Sequence, residues 1–111
     1  MAAFLAFVRN CHINEIRDLC ANRIRMSPNE VRRSELEGII GELSRSPHRK
    51  DVLFALTQLS SLPAAGRVSV VEAALAHPDR QVRKNAARAL LLVPEQHRPA
   101  LRERLRERRE E

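Results

Sequence analysis

Four basic residues after Pro78 have the spacing of a binding surface. Arg80, Lys84 and Arg88 recur every four residues, so on an α-helix they would form one ridge, with Arg83 one step round. We call Arg80, Lys84 and Arg88 the basic ridge. Cationic side chains in a row suit phosphate groups or an acidic protein surface. The alternative interpretation is a solvated helix face on which Arg83 braces the preceding turn.

Other residues that could do chemistry are few and scattered. Cys11 and Cys20 lack the partner cysteines or histidines of a zinc site, and the sequence contains no glycine-rich phosphate loop or nucleophile elbow. His48 and His77 each neighbour a turn proline, where we expect them either to cap the turn locally or to have no particular role. The sequence therefore predicts a protein that is not an enzyme. It predicts no metal, no other cofactor and no small-molecule substrate.

Composition is typical of a small helical protein with a basic surface. The 111 residues allow one domain, and aromatic residues make up only 3%, so the core must be aliphatic. The formal net charge is +6, and residues 63–93 carry five basic against two acidic residues. The apolar start, Met1 to Val8, is too short to span a membrane. Two unpaired thiols favour a reducing compartment, so we expect a cytoplasmic protein without a membrane partner.

Prolines divide most of the sequence into intervals of one helix and one turn. Pro47, Pro63, Pro78 and Pro94 are separated by 16, 15 and 16 residues. Since proline is excluded from helix interiors but accepted in the first turn, each interval predicts a helix of about 12–14 residues. Apolar residues at three- and four-residue steps give each helix one face to bury.

The N-terminal part predicts further helices. Two apolar faces separated by a joint at residues 10–14 indicate two helical pieces. The stretch from Ser27 to Glu30 predicts a helix start in which Ser27 is the N-cap and Glu30 completes a capping box. Because the apolar period holds only after Leu36, we expect this helix to break or tighten near Arg33 and Ser34.

A shift of the sequence by 31 residues reveals an internal repeat. It aligns apolar residues with apolar residues and turn prolines with turn prolines. The matched pairs are Ile39 and Val70, Ile40 and Val71, Pro47 and Pro78, Arg49 and Arg80, Ala55 and Ala86, Leu59 and Leu90, and Pro63 and Pro94. Since one helical hairpin cannot bury its apolar face alone, we expect an all-α protein: a short α-solenoid of two to three stacked antiparallel helical hairpins.

The second unit resembles the HEAT-like (armadillo-type) helical repeats. From Glu72 to Leu90 the sequence has an Asp in the turn, Val-Arg at the start of the second helix, then a pair of small residues and a leucine. The similarity is specific over residues 66–93 and partial over residues 32–62. It implies an N-terminal cap or degenerate repeat, two HEAT-like repeats and a C-terminal charged helix or tail, at residues 1–26, 27–62, 63–93 and 94–111.

The same resemblance implies a binding module. Stacked hairpins present an extended surface, and in this family the second helix of each unit usually forms the concave face. Residues 51–62 and 80–92 would then be the contact face of an adaptor or scaffold subunit that binds a protein partner in a larger assembly. The alternative is a nucleic-acid-binding subunit whose basic ridge contacts phosphates, with little base stacking because aromatic residues are scarce.

The C-terminal run alternates arginine with glutamate and contains two large apolar residues, Leu101 and Leu105. We expect a helix that is solvated or frayed. The alternative is a helix that docks on a partner through these two leucines.

Overall fold

Seven α-helices and three short 3₁₀ turns make up the computed structural model, which describes the backbone of residues 2–110 and the side chains of residues 3–107. The helices are α1 (Ala2–Asn10), α2 (Asn14–Arg25), α3 (Glu30–Ser44), α4 (Arg49–Thr57), α5 (Ala64–Leu75), α6 (Arg80–Arg88) and α7 (Arg98–Glu110). No β-strand occurs between residues 2 and 110. The predicted all-α class is confirmed.

The first six helices form three hairpins, α1 with α2, α3 with α4, and α5 with α6. The first helices of the hairpins stack in one layer and the second helices in another, while α7 packs against α5 and α6. The Cα atoms extend over 44 × 27 × 17 Å. The shortest dimension accommodates two layers of helices whose axes lie about 8–10 Å apart. The arrangement is the short solenoid of stacked hairpins that the repeat predicts.

One aliphatic core runs through all three hairpins, from Leu5 on α1 to Leu101 on α7. The 31-residue repeat is visible in it, because both members of each apolar pair are buried. These pairs are Ile39 and Val70, Ile40 and Val71, Ala55 and Ala86, and Leu59 and Leu90. After α4 and after α6 the chain tightens into a 3₁₀ turn, at Leu59–Ser61 and Ala89–Leu92. The second and third hairpins therefore have the same kind of turn at the same place, as well as equivalent core positions.

The start of α3 differs from the prediction. Asn29 is the N-cap, and its side chain accepts hydrogen bonds from the backbone N–H groups of Val31 and Arg32. The predicted N-cap, Ser27, instead accepts one hydrogen bond from the N–H of Asn29, at 3.2 Å. Since Glu30 then stands at the first helical position, no capping box forms. An asparagine at this place is as good a cap as serine, and the later of the two polar residues takes the role.

Two further expectations on the helices are wrong. α3 continues unbroken from Glu30 to Ser44, because Leu36, Ile39, Ile40 and Leu43 bury one face while its first turn stays at the surface. Of the helices in the proline intervals, α5 has the expected length with 12 residues, whereas α4 and α6 have only 9. Part of each proline interval after α4 and α6 is taken by a 3₁₀ turn, which shortens those two helices to 9 residues.

α7 covers the end of the core with its own leucines. Leu101 is buried and Leu105 is half-buried against the core cluster. The alternative in which these residues dock on a partner is therefore wrong, since their contacts are within the chain. The side chains of Arg108 to Glu111 and the residue Met1 lie outside the described part of the chain. None of the described helices combines the length and the hydrophobicity needed to cross a membrane.

Candidate binding surface

The basic ridge lies on α6, whose orientation is fixed at its first residue. Asp79 caps the helix, and its Oδ1 accepts hydrogen bonds from the N–H groups of Gln81 and Val82 at 2.8 and 3.3 Å. Val82 and Ala86 are buried in the core. Because the helix repeats every 3.6 residues, Arg80, Lys84 and Arg88 point away from that core, and all three are exposed. The expected row of cations on one helix face is present.

No carboxylate in the described part of the chain forms an ion pair with Arg80, Lys84 or Arg88. Five pairs between arginine and glutamate occur elsewhere in the described part of the chain. The pairs are Arg9 with Glu42, Arg32 with Glu35, Arg33 with Glu30, Arg104 with Glu72, and Arg106 with Glu103. The basic ridge is thus a cluster of cations whose charge the fold leaves unneutralised.

Arg83 is not part of this ridge. Its Nη1 donates hydrogen bonds to the carbonyl oxygens of His77 and Pro78, at 2.8 and 2.7 Å. These carbonyls follow α5 and have no partner within that helix, so the guanidinium satisfies groups that the helix end leaves open. The geometry favours the interpretation in which Arg83 braces the turn through its Nη1.

Arg83 belongs to a recurrent device that sequence reasoning missed. Five arginines, each four residues after a cap, fold back and donate to carbonyl oxygens of the preceding connection. They are Arg17 to Arg9, Arg33 to Ser27, Arg67 to Leu62 and Ser60, Arg83 to His77 and Pro78, and Arg98 to Val93 and Leu91. The sequence does contain a pattern that indicates these contacts, because an arginine follows each of Pro28, Pro63, Pro78 and Pro94 by four or five residues. We call these five residues the turn arginines.

The two histidines beside prolines differ in role. His77 is buried, and its Nδ1 accepts a hydrogen bond from the N–H of Asp79 at 3.0 Å, so the expected local cap is found. His48 is the N-cap residue of α4, and its side chain makes no cap hydrogen bond, which is the second of the two expected outcomes. The hydroxyl of Ser46 accepts a hydrogen bond from the N–H of His48 at 3.1 Å, within the turn before α4.

The second helices expose different mixtures of charge. At the N-terminal end, α2 exposes both signs, with Glu15, Asp18 and Arg23. In the middle, α4 exposes Arg49 and Lys50 at its start, and at the far end α6 exposes the basic ridge. Nη1 of Arg49 lies 4.0 Å from Oδ2 of Asp79, a weak contact between α4 and the α6 cap. Exposed positive charge therefore predominates from the start of α4 to α6, while α2 is mixed.

A buried ion pair holds α2 against α4 beneath this surface. Nη2 of Arg17 lies 2.7 Å from Oδ1 of Asp51, and the hydroxyl of Ser46 donates to Oδ2 at 2.7 Å. Burial alone would raise the pKa of Asp51, but the Ser46 hydrogen bond, the Arg17 guanidinium and nearby His12 together lower the pKa below its ordinary value of 3.8. Asp51 is therefore a stable anion, buried with its counter-charge in a structural position.

Among the described residues, no group of three or more His, Cys, Asp or Glu side chains lies close enough to bind a metal ion. Cys11 and Cys20 are both free thiols. The chain matches no protein-family model, no curated protein and no solved structure. What can be inferred about function therefore comes from the geometry of this surface.

Proposed function

We propose that this protein is a non-catalytic, cytoplasmic adaptor or scaffold subunit that binds an acidic region of a protein partner through the basic ridge on α6. One observation carries the proposal: three exposed cations on one helix face, none of them in an ion pair within the described chain. Desolvating a charge costs free energy unless a counter-charge replaces the water. An acidic partner supplies that counter-charge here without first breaking an existing pair.

The mixed charge of the second-helix layer supports a protein partner. α2 exposes the carboxylates of Glu15 and Asp18 beside the cation Arg23, and a protein can match both signs. The HEAT-like resemblance proposes the same layer as the contact face, at residues 51–62 and 80–92. Within residues 51–62 only Thr57, Ser60 and Ser61 are exposed, so on that hypothesis most of the contact lies on α6.

Nucleic acid is the second candidate, because the same unpaired cations suit phosphates. The position of the aromatic residues argues against single-strand binding by stacking. Phe4 and Phe7 lie on α1, and Phe54 is buried on α4, so no aromatic ring accompanies the basic ridge. Nucleic-acid binding of this kind would depend on phosphate contacts, and its affinity would fall steeply as the salt concentration rises.

The test for the protein partner compares two charge reversals. The double variant Arg80→Glu and Lys84→Glu removes the ridge, while Arg102→Glu reverses an exposed arginine on α7 as the matched control. Proteins captured from an extract of the source cells by the wild type and by Arg102→Glu, but lost with the double variant, would support the proposal. Equal capture by all three would place the contact elsewhere.

The test for nucleic acid uses fluorescence anisotropy with labelled single- and double-stranded oligonucleotides. Micromolar binding at low salt that weakens at least about tenfold near physiological salt, and that the double variant abolishes, would favour the second candidate. Absence of binding at low salt would exclude it.

A further inference from the structure

The N-terminal end of the solenoid exposes large apolar side chains. Phe4 and Phe7 on α1 and Ile16 and Leu19 on α2 are all exposed, Phe7 to 51% and Leu19 to 66%. We call these four residues the end patch. Within residues 2–110, α1 and α2 pack against each other and against the helices that follow them, so their outer sides are left uncovered. Apolar side chains clustered in this way mark a contact surface more often than chance exposure does.

The end patch faces away from the second hairpin. Arg9 on α1 reaches Glu42 on α3, with 3.3 Å between Nη2 and Oε2, and the Asn14 amide on α2 donates to the Lys50 carbonyl at 3.1 Å. These contacts fix which sides of α1 and α2 are turned inward. By helical spacing, the end patch residues stand on the opposite sides of the same two helices. They therefore form one outer face of the molecule.

The opposite end of the molecule is covered by the charged helix α7. α7 buries Leu101 and half-buries Leu105, and it exposes charged residues such as Arg102, Glu103 and Arg106. The exposed leucines nearby, Leu91 and Leu92, belong to the 3₁₀ turn before α7 rather than to α7 itself. Head-to-tail stacking onto α7 would place the end patch against its charges and desolvate them. A second copy that covers the end patch with its own end patch avoids this cost, and that is the geometry of a two-fold symmetric interface.

The end patch supplies about half of the area that such an interface needs. With roughly 150–250 Å² for a large side chain, its exposed fractions correspond to about 350 Å² of apolar surface in each copy. Two copies would then bury about 700 Å² from these residues alone. Specific interfaces begin at about 1,200 Å² in total, so the flanking residues of α1 and α2 have to supply the remainder.

The residues on either side of Leu19 in α2 carry opposite charges, so they could pair with those of a second copy. Glu15 stands four residues before Leu19 and Arg23 four residues after it, and both are exposed. Neither forms an ion pair within the described residues. If two copies of α2 cross antiparallel at Leu19, Glu15 of each copy faces Arg23 of the other. The interface thus gains two symmetric charge pairs at its rim, while a parallel crossing would oppose like charges.

We propose that this protein forms a two-fold symmetric homodimer through the end patch, in which the two α2 helices cross antiparallel at Leu19. The apolar residues supply the buried centre and the Glu15 and Arg23 pairs fix the register. The basic ridges lie at the far ends of the two second-helix layers, so the dimer would carry two separate binding surfaces.

Sedimentation velocity of the full chain between about 1 and 100 µM tests the proposal. We expect the wild type to shift from monomer to dimer, and Leu19→Glu to raise the dissociation constant at least tenfold, on the order of a hot-spot substitution. Leu91→Glu is the matched control, because Leu91 is an equally accessible leucine, exposed to 75%, at the other end of the chain. A wild type that stays monomeric, or a Leu19→Glu dimer as tight as the wild type, would overturn the proposal.

The register has its own test in the same measurement. Glu15→Arg and Arg23→Glu should each weaken the dimer, and the double variant should restore it to within a few-fold of the wild type. A double variant weaker than either single one would refute the antiparallel crossing. Circular dichroism shows for each variant that the helices are intact, which is expected because all substituted residues are at the surface.

Discussion

Arg17 is completely buried, and its Nη2 lies 2.7 Å from Oδ1 of Asp51 in the next hairpin. Cζ of the same guanidinium lies 5.6 Å from the centre of the Phe54 ring, which covers it. The pair links α2 to α4, two helices that are neighbours in the second layer. Because both groups are withdrawn from water, each charge depends on the other for its compensation.

Removing one member of this pair should destabilise the protein strongly. Arg17→Met leaves Asp51 as a buried anion without its partner, and we expect the free energy of unfolding to fall by about 3–5 kcal/mol. The double variant Arg17→Met and Asp51→Leu should recover part of this loss, since no charge is then left buried. Urea unfolding at neutral pH measures both. A single variant that loses no more than the exposed-site control Arg88→Met would contradict the structural role.

Acid should weaken the protein through Asp51. Its pKa is lower in the folded chain than the ordinary value of 3.8, so its contribution to stability is complete above that value. The contribution is lost as the pH falls from there through the lowered folded pKa, because the carboxyl is then protonated in both states. Urea unfolding from about pH 7 to pH 2 should show a smaller loss for Asp51→Asn than for the wild type. Equal losses would mean that other carboxyl groups account for the acid sensitivity.

The turn arginines should contribute more than exposed arginines do. Arg67 donates to the carbonyl oxygens of Leu62, Ser60 and Leu92, at 3.0, 3.1 and 3.2 Å. Replacing it by methionine keeps the aliphatic stem but leaves these carbonyls without the guanidinium, and we expect a loss of about 1–2 kcal/mol. Arg88→Met should change the free energy of unfolding by less than about 0.5 kcal/mol. Chemical denaturation of the Arg67→Met and Arg88→Met variants shows whether Arg67 stabilises the turn more than an exposed arginine stabilises the surface.

Two substitutions locate the start of α3. Asn29→Ala removes the acceptor for the N–H groups of Val31 and Arg32 and should cost about 1 kcal/mol. Ser27→Ala removes one hydrogen bond outside the helix and should cost less. If the order of the two losses in urea unfolding were reversed, Ser27 would be the functional cap after all.

The all-α class and the stacking of hairpins could be predicted because proline spacing and apolar periodicity are both local signals. The position of the cap at Asn29 could not, since two polar residues precede the helix and only tertiary packing selects between them. The basic ridge followed from helical spacing alone. The pairing of Arg17 with Asp51 did not, because the two residues are 34 positions apart and stand at different places in their repeats.

The role of Arg83 could be established only from its contacts in the structure. The sequence places this arginine near the start of a helix, yet only the contacts to the carbonyl oxygens of His77 and Pro78 show that its Nη1 braces the preceding turn. Of the other four turn arginines, Arg33, Arg67 and Arg98 follow a turn proline by four or five residues, and Arg17 follows none. Their common function becomes visible when the helix caps are known, because each stands four residues after one.

The connections between helices thus differ in how they respond to acidity. A guanidinium keeps its charge at any pH a cell experiences, so the connections held by the turn arginines are indifferent to protons. The connection between α3 and α4 is held instead by Asp51 through the Ser46 hydroxyl, and this anion can be protonated. Strong acid, which protonates Asp51 at a pH below its ordinary pKa of 3.8, would therefore weaken this connection while the guanidinium hydrogen bonds of the turn arginines keep their donors.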